Sequence, residues 1–383
     1  MQKANVLISR LNELDWDFAG DKSDSPFADL HFHPGRFVPQ IPAALIGSLT
    51  SERAFVVDPF CGSGTTLVEA SRLGRSALGI DINPISCLVS RAKTIPKSSS
   101  EIEAELLALI DQLTAFLMID APGEIQVPAE VQLGKWYHAE TGAQLARIWS
   151  FIRSKVGEDL HDLALFCFSS SLMSCCAETR SWGYVCDNVR PLERRYVDAF
   201  MVFRERIEAV IDAYRRRDRR QLAPTILQAG EITVEEGDAA ERLKELGEGT
   251  VDLVVTSPPY FGVVDYIKSQ RLSFEWFGLG IEQFRTDEIG ARSKRHRQAA
   301  FAEYTQELGD VMRQIYRILK PSHSAAFVIG ESAKRVAALD EVTRMLIAAG
   351  FSIDLSISRK IGLRRRQPAS LQSERLIVAT KVA

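Results

Sequence analysis

The stretch from Ala54 to Gly74 constrains the fold more than any other. AFVVD is a short apolar run closing on an acid, PFCGSGTT is a turn built around Gly62 and Gly64, and LVEASRLG is an apolar-periodic segment ending in glycine. A strand that enters a helix through a glycine-rich turn buries both of its faces only in a layered α/β arrangement. SALGID (Ser76 to Asp81) follows as a second strand. NPISCLVSRAK then opens another helix with Pro84 in its first turn, where the missing N–H costs nothing. Gly74 is placed to cap the first helix. Two strand–helix units this close predict a parallel sheet with right-handed crossovers.

From about 97 to 222 the pattern becomes helical. Ser100-x-x-Glu103 has the form of a capping box, and Ile102, Leu106, Leu109, Ile110, Leu113 and Leu117 repeat at helical spacing. Further helices are predicted over 139–155, 159–176 and 191–217. Strand patterns return at 226–231 and at VDLVVTS (Val251 to Ser257), then at SAAFVIG, FSIDLSIS and ERLIVATKV. Helices are predicted near 300–319, stopping at Pro321, and near 340–349. The last two strands, joined by a basic loop, read as an antiparallel pair at a sheet edge. The chain therefore divides into a first sheet portion at 1–96, a helical insert at 97–222 and a second sheet portion at 223–383.

Composition limits the classes that remain. With 46% apolar residues and a net charge of −3 over 383 residues, general disorder is excluded. Uncharged stretches such as 163–177 fall short of the ~20 residues that cross a bilayer. Glu13, Asp15 and Asp17 stand where an export signal would carry its apolar core, so a cytoplasmic protein is expected. Six cysteines are too sparse for a disulfide framework, and dispersed histidines without paired cysteine spacing argue against a metal site. Basic residues cluster at 204–220 (seven arginines against four acids), 285–297 and 359–366, with five basic residues in each of the last two. Such clusters on a slightly acidic chain suggest a local polyanion footprint.

Two constellations carry chemistry. Gly62 and Gly64 let a ligand approach the backbone closely, the helix after them presents unpaired N–H groups, and Asp81 ends the next strand where an acid binds a ribose diol. This fits any adenosine-containing cofactor. No lysine follows the glycines, so a phosphate-cradling loop is excluded, and Leu67 replaces the third glycine of the dinucleotide fingerprint. The second constellation is Ser257-Pro258-Pro259-Tyr260 at the end of the VDLVVT strand. Successive prolines stiffen the loop and fix its carbonyls. A hydroxyl, a carbonyl and an aromatic ring at a strand's carboxyl end suit an exocyclic amine on a flat base. Trp136-Tyr137-His138 is either a stacking element or core.

The chain resembles the S-adenosylmethionine-dependent amino-methyltransferases of DNA. DPFCGSGT is similar to that family's cofactor motif and SPPY to its catalytic tetrapeptide; His31-Phe-His-Pro-Gly-Arg-Phe-Val-Pro and Gly237-Asp238-Ala239 are similar to its flanking motifs. The likeness covers roughly 28–95 and 225–383. It implies an α/β fold with a Rossmann-like methyltransferase sheet, mostly parallel with an antiparallel edge strand, carrying an inserted helical domain. It implies S-adenosyl-L-methionine held by His33, Asp58, Phe60, Cys61, Gly62, Gly64, Thr65, Asp81, Ile82, Asp238 and Ala239, with Arg36 a further candidate. It implies catalysis by Ser257, Pro258, Pro259 and Tyr260 on a flipped-out base of double-stranded DNA, Tyr260 stacking on that base. Serine in first position is the form usual in the cytosine-N4 branch, so cytosine N4 is the expected target. Adenine N6, an RNA amine and a catalytically silent nucleic-acid-binding regulator are the alternatives. The cofactor motif precedes the tetrapeptide, and that order makes 97–222 the candidate for reading the target sequence. Restriction-modification with a cognate restriction enzyme, phage defence and solitary epigenetic marking are all open as settings, in a bacterial or archaeal cell at the nucleoid.

Overall fold

The computed structural model describes residues 11–18, 25–27, 29–35, 38–118, 126–177, 185, 195–220, 230–294, 296–331, 336–360 and 373–382. The sheet is built from β1 (Phe55–Asp58), β2 (Ser76–Asp81), β3 (Ile232–Glu236), β4 (Val251–Thr256), β5 (Leu319–Glu331), β6 (Phe351–Lys360) and β7 (Ser373–Lys381). Its order is β3-β2-β1-β4-β5-β7-β6, all parallel except β7. The antiparallel strand is therefore not at the edge. It inserts between β5 and β6, pairing along its length with both, and β6 is the outer strand. Burial explains this. LIVA of β7 is continuously buried, whereas β6 buries one residue in four, as a strand with an open flank can.

The strands divide their residues between two cores. Val56 and Leu253 join Ile41 and Leu45 of α1 (Gln40–Leu49) and Leu67 of α2 (Thr65–Arg72) on one side. Val57 and Val254, the next residues along, face the other side. There they meet Ala239, Leu243, Leu308 and Ile315.

The first helices form for local reasons. Gly74, at φ +74°, ends α2, and Arg75 N–H reaches back to the Ala70 carbonyl at 2.9 Å. In α3 (Pro84–Lys93) the Asn83 side chain accepts from the Ile85 and Ser86 N–H groups, with Pro84 at the first position. The capping box lies two residues earlier than its sequence pattern suggested: Ser98 and Glu101 close α4 (Ser99–Leu117). Ser98 is extended at ψ 159°, the geometry of a residue outside the helix, so Ser100 is already inside it.

The insert continues with α5 (Leu133–Trp136), α6 (Ala139–Lys155), α7 (Glu158–Cys175) and α8 (Ala199–Arg220). Their buried residues form one cluster with Ile85, Val89 and Ala92 of α3, so the insert docks on that helix. Trp136 and Tyr137 are core. Trp136 Nε1 donates to Glu275 at 3.0 Å, and Trp276 Nε1 donates to the Tyr137 hydroxyl at 3.1 Å. His138 caps α6.

Two later predictions shift. The strand expected at 226–231 is β3 at 232–236, and 226–229 lie outside the described residues, as do 191–194 before α8. After α9 (Ala239–Lys244), α10 (Tyr266–Ser269), α11 (Arg271–Trp276), α12 (Ile281–Asp287) and α13 (Ala300–Ile318), the chain enters β5 directly at Leu319. Pro321 sits in an irregular part of that strand, where pairing jumps from Leu319 to Ser324 and no ladder N–H is needed. α14 (Val336–Ala348) completes the set. No helix among the described residues is long and apolar enough to cross a membrane, and the five described cysteines are free and buried.

Candidate active site

The carboxyl ends of β1, β2, β3 and β4 open onto a cleft of about 840 Å3, at the point where the strand order reverses direction. The glycine turn forms its floor and is tied down by backbone contacts. Cys61 N–H reaches the Ile80 carbonyl at 2.9 Å and Gly64 N–H the Cys61 carbonyl at 2.8 Å. Asp81 spans two turns, accepting Gly62 N–H on Oδ2 at 2.9 Å and Asn83 N–H on Oδ1 at 2.8 Å. Gly62 lies at φ +50°, where a Cβ would stand 3.0 Å from the His33 ring. At Gly64, φ +74°, a Cβ would come within 2.7 Å of Ser90 Oγ on α3. The first glycine lines the cleft; the second lets α3 pack behind it.

Of the residues expected at the cofactor, His33, Phe60, Cys61, Gly62, Thr65, Asp81, Ile82, Asp238 and Ala239 line the cleft. Asp58 does not. It is 1% exposed beneath the turn and accepts Phe60 N–H at 3.2 Å. Asp238 also caps α9 through Glu241 N–H at 3.0 Å, and Arg36 lies outside the described residues. Ser257 and Pro259 reach the same cleft from β4, whereas Pro258 and Tyr260 are buried behind it.

Tyr260 therefore does not present a ring to the cleft. Ser257 Oγ donates to the Val328 carbonyl of β5 at 2.9 Å and lies 3.0 Å from the Tyr260 hydroxyl, which reaches the same carbonyl at 3.3 Å. With inward acceptors for its proton, Ser257 keeps a lone pair of Oγ for the cleft. The tyrosine that lines the cleft is Tyr266, together with the rings of His33 and Phe60. Asn83, Ser86, Ile267, Asp287, Glu288 and Ile289 also line the cleft without having been expected. The signal for Tyr266 lay in the sequence just after SPPY. Nothing in spacing links it to Glu288, whose Oε1 accepts Tyr266 N–H at 2.6 Å.

The cleft is electrostatically one-sided. Asp81, Asp238, Asp287 and Glu288 line it, and no lysine or arginine stands among the described lining residues. Burial pushes the carboxyls of Asp58 and Asp81 up to about 6, and the charge of Asp58 adds to the rise at Asp81.

A profile of the DNA methylase family matches residues 14–90, which contain the glycine turn, Asp81 and Asn83. Over these residues the chain is similar to the DNA methylase family. Type II methyltransferase M.MvaI of Kocuria varians is 26% identical over 268 residues, covering 66% of this chain and 58% of its own length. Type II methyltransferase M.MjaII of Methanocaldococcus jannaschii is 21% identical over 425 aligned positions, covering 88% of this chain and 79% of its own. The solved rRNA methyltransferase aviRa of Streptomyces viridochromogenes covers 94% of this chain at 13% identity with a TM-score of 0.42.

The lining of the cleft fits S-adenosylmethionine. S-adenosylmethionine carries positive charge on sulfur and on its ammonium group, and an acid-lined cleft without cationic side chains favours both. The same lining disfavours the pyrophosphate of a nicotinamide dinucleotide.

The basic clusters are mostly employed in holding the fold. In α8, Arg217 donates to the carbonyls of Ile95 and Lys97, Arg215 pairs with Glu103, Arg204 with Glu208, and Arg206 reaches Ser174. Arg359 is buried against Glu374 and the Trp16 carbonyl. In 285–297, Arg285 pairs with Glu282, Arg297 with Glu303, and Lys294 holds the carbonyls of Thr286 and Glu288. Residues 361–366 lie outside the described residues.

Proposed function

We propose that the protein transfers a methyl group from S-adenosylmethionine to the exocyclic amine of a flipped-out base in duplex DNA, the N4 amine of cytosine. The observation that carries this reading is the polarity of Ser257: its hydroxyl proton has inward acceptors in the Val328 carbonyl and the Tyr260 hydroxyl, which leaves a lone pair of Oγ for the acid-lined cleft. An exocyclic amine is a donor whose lone pair is delocalised into its ring. Ser257 Oγ, which lines the cleft, would accept one N–H and hold the nitrogen so that its lone pair turns out of the ring plane. The cofactor supplies an electrophilic methyl on a good leaving group. Holding the two in near-attack geometry contributes up to ~7–11 kcal/mol.

The Tyr260 hydroxyl keeps Ser257 in place, and Tyr266 offers its ring to the base. Residues 97–222 read the target sequence in this account; the described helices of that stretch share a buried cluster with α3, whose Asn83 and Ser86 line the cleft. With α8 occupied by internal pairs, phosphate contacts fall to the rim near Arg292, which is exposed.

The test is nucleoside mass spectrometry of DNA amplified in vitro and incubated with the protein and cofactor. N4-methylcytosine is expected. N6-methyladenine would keep the mechanism and overturn the base; no methylated nucleoside in DNA, with transfer to structured RNA, would overturn the substrate. Ser257→Ala is expected to abolish transfer while retaining cofactor binding.

A further inference from the structure

One buried acid of the cleft has no part in the mechanism above. Glu288 is 4% exposed and shares the cleft wall with Ser257, Pro259 and Tyr266. Its Oε1 accepts Tyr266 N–H, whereas Oε2 is buried and makes no hydrogen bond. A buried oxygen left unsatisfied costs ~1–3 kcal/mol, so such an atom marks a place where a partner is missing.

The backbone carries this atom to the catalytic loop. Gly262 N–H donates to the Gly290 carbonyl at 2.7 Å, and Arg292 N–H to the Val264 carbonyl at 3.1 Å. These two bonds tie the segment just after Glu288 to the one that begins at Ser257. Ile289, the next residue, packs in one cluster with Phe60 of the glycine turn and Phe261. Glu288 thus lies where the cofactor turn and the tetrapeptide loop converge.

The groups facing it are the N–H donors of Tyr266 and Ile267, the Asp265 carboxylate, the Tyr266 phenol and the Lys294 ammonium. Burial outweighs the donors and, with Asp265 adding to it, pushes the carboxyl up to about 7. Near neutral pH a large share of the molecules carry a proton there, and a protonated carboxyl is a donor.

Resting on the amine-methylation reading, we propose that Glu288 recognises the target base, its Oε2 hydroxyl donating to the ring nitrogen beside the methylated amine: N3 of cytosine or N1 of adenine. Ser257 accepts from the amine and Glu288 donates to its neighbour, so the pair reads a donor–acceptor edge. Uracil, thymine and hypoxanthine carry an N–H at that ring position, which would meet the Glu288 donor head-on and be refused.

The experiment is a cycle on the duplex sequence identified by the product analysis, with the target base either natural or its deaza analogue (3-deazacytosine or 1-deazaadenine), which lacks that nitrogen. The unaltered protein is expected to lose about tenfold in kcat/KM on the analogue. Glu288→Leu is expected to lose about tenfold on the natural base and nothing further on the analogue. Glu288→Gln, whose amide still accepts from Tyr266 and can donate to the ring, is expected to recover most of that loss. Calorimetric titration with S-adenosylmethionine should give Glu288→Gln and Glu288→Leu, which lose the same cleft carboxyl, equal cofactor affinities, so that the difference between them in transfer is read at the base. Losses that add across the cycle, or a Gln variant whose defect lies wholly in cofactor affinity, would overturn the assignment and leave the proposed function standing. No transfer to DNA by the unaltered protein would overturn both.

Discussion

Replacing Gly64 by alanine separates two costs that usually arrive together. The residue has φ +74°, and its added Cβ would stand 2.7 Å from Ser90 Oγ and 3.1 Å from Ser90 Cα. The left-handed backbone alone costs an alanine ~1–2 kcal/mol, and forcing a methyl into packed space adds ~1–3 kcal/mol. Gly249 provides the control, since it has φ +64° with nothing within 4 Å of an added Cβ. Gly249→Ala is therefore expected to lose ~1–2 kcal/mol and Gly64→Ala ~2–5 kcal/mol, read from urea unfolding of both variants beside the parent. The clash also has a functional consequence. Ser90 Oγ donates to the Gly62 carbonyl at 3.0 Å, so a displaced Ser90 drags the cleft floor with it. Cofactor affinity should fall in Gly64→Ala and stay at the parental value in Gly249→Ala. Equal stability losses in the two variants would refute the packing argument, whatever happened to binding.

Arg359→Met strands the buried Glu374 and is expected to destabilise by ~3–5 kcal/mol, with Glu374→Leu added to it recovering much of the loss in the same unfolding assay. Asp81 is held up at about 6 chiefly by burial, so its charge, and its attraction for a cationic cofactor, develops as pH rises through that value. Cofactor affinity should accordingly climb between pH 5 and 7 (about one unit either side of the Asp81 value), and the climb should shrink in Asp81→Asn; an undiminished slope in titration calorimetry would assign it elsewhere. Tyr260→Phe removes the hydroxyl 3.0 Å from Ser257 Oγ and should lower kcat by about tenfold while leaving cofactor affinity alone. A loss confined to KM would point instead to base stacking.

The parts of the fold written in short-range patterns were legible. β1, the glycine turn and α2 follow each other within the reach of local sequence, and Asn83 with Pro84 announces α3 almost to the residue. The capping box of α4 was misplaced by two residues because SSSE allows a serine at either spacing, and only the extended backbone of Ser98 decides between them. The place of β7 between β5 and β6 is set by pairing over distance and leaves no trace in its own nine residues. At the site, Asp81, Ile82 and Ser257 could be named because strand ends converge by rule, and His33 because its motif resembles the one that precedes such a glycine turn. Tyr260 and Tyr266 could not be told apart, since both are aromatic and follow the same prolines; which one turns inward depends on Val328, a residue of another strand. The arginines of α8 misled for the same reason. Their partners, Glu103, Ile95 and Lys97, are more than a hundred positions away.

α3 belongs to two structures at once. Asn83 and Ser86 at its start stand at the cofactor cleft, and Ile85, Val89 and Ala92 are shared with the buried cluster of the insert. The insert is thus not a cassette. A chimera that exchanged residues 97–222 with those of a relative would inherit a mismatched seam along this helix, and the mismatch would be felt first at Asn83, whose side chain is also held by Gln270 at 3.1 Å. New sequence specificity on this scaffold would come more readily by grafting α3 together with the insert, so that the seam moves to the sheet, where β2 and α2 have already closed their own interface.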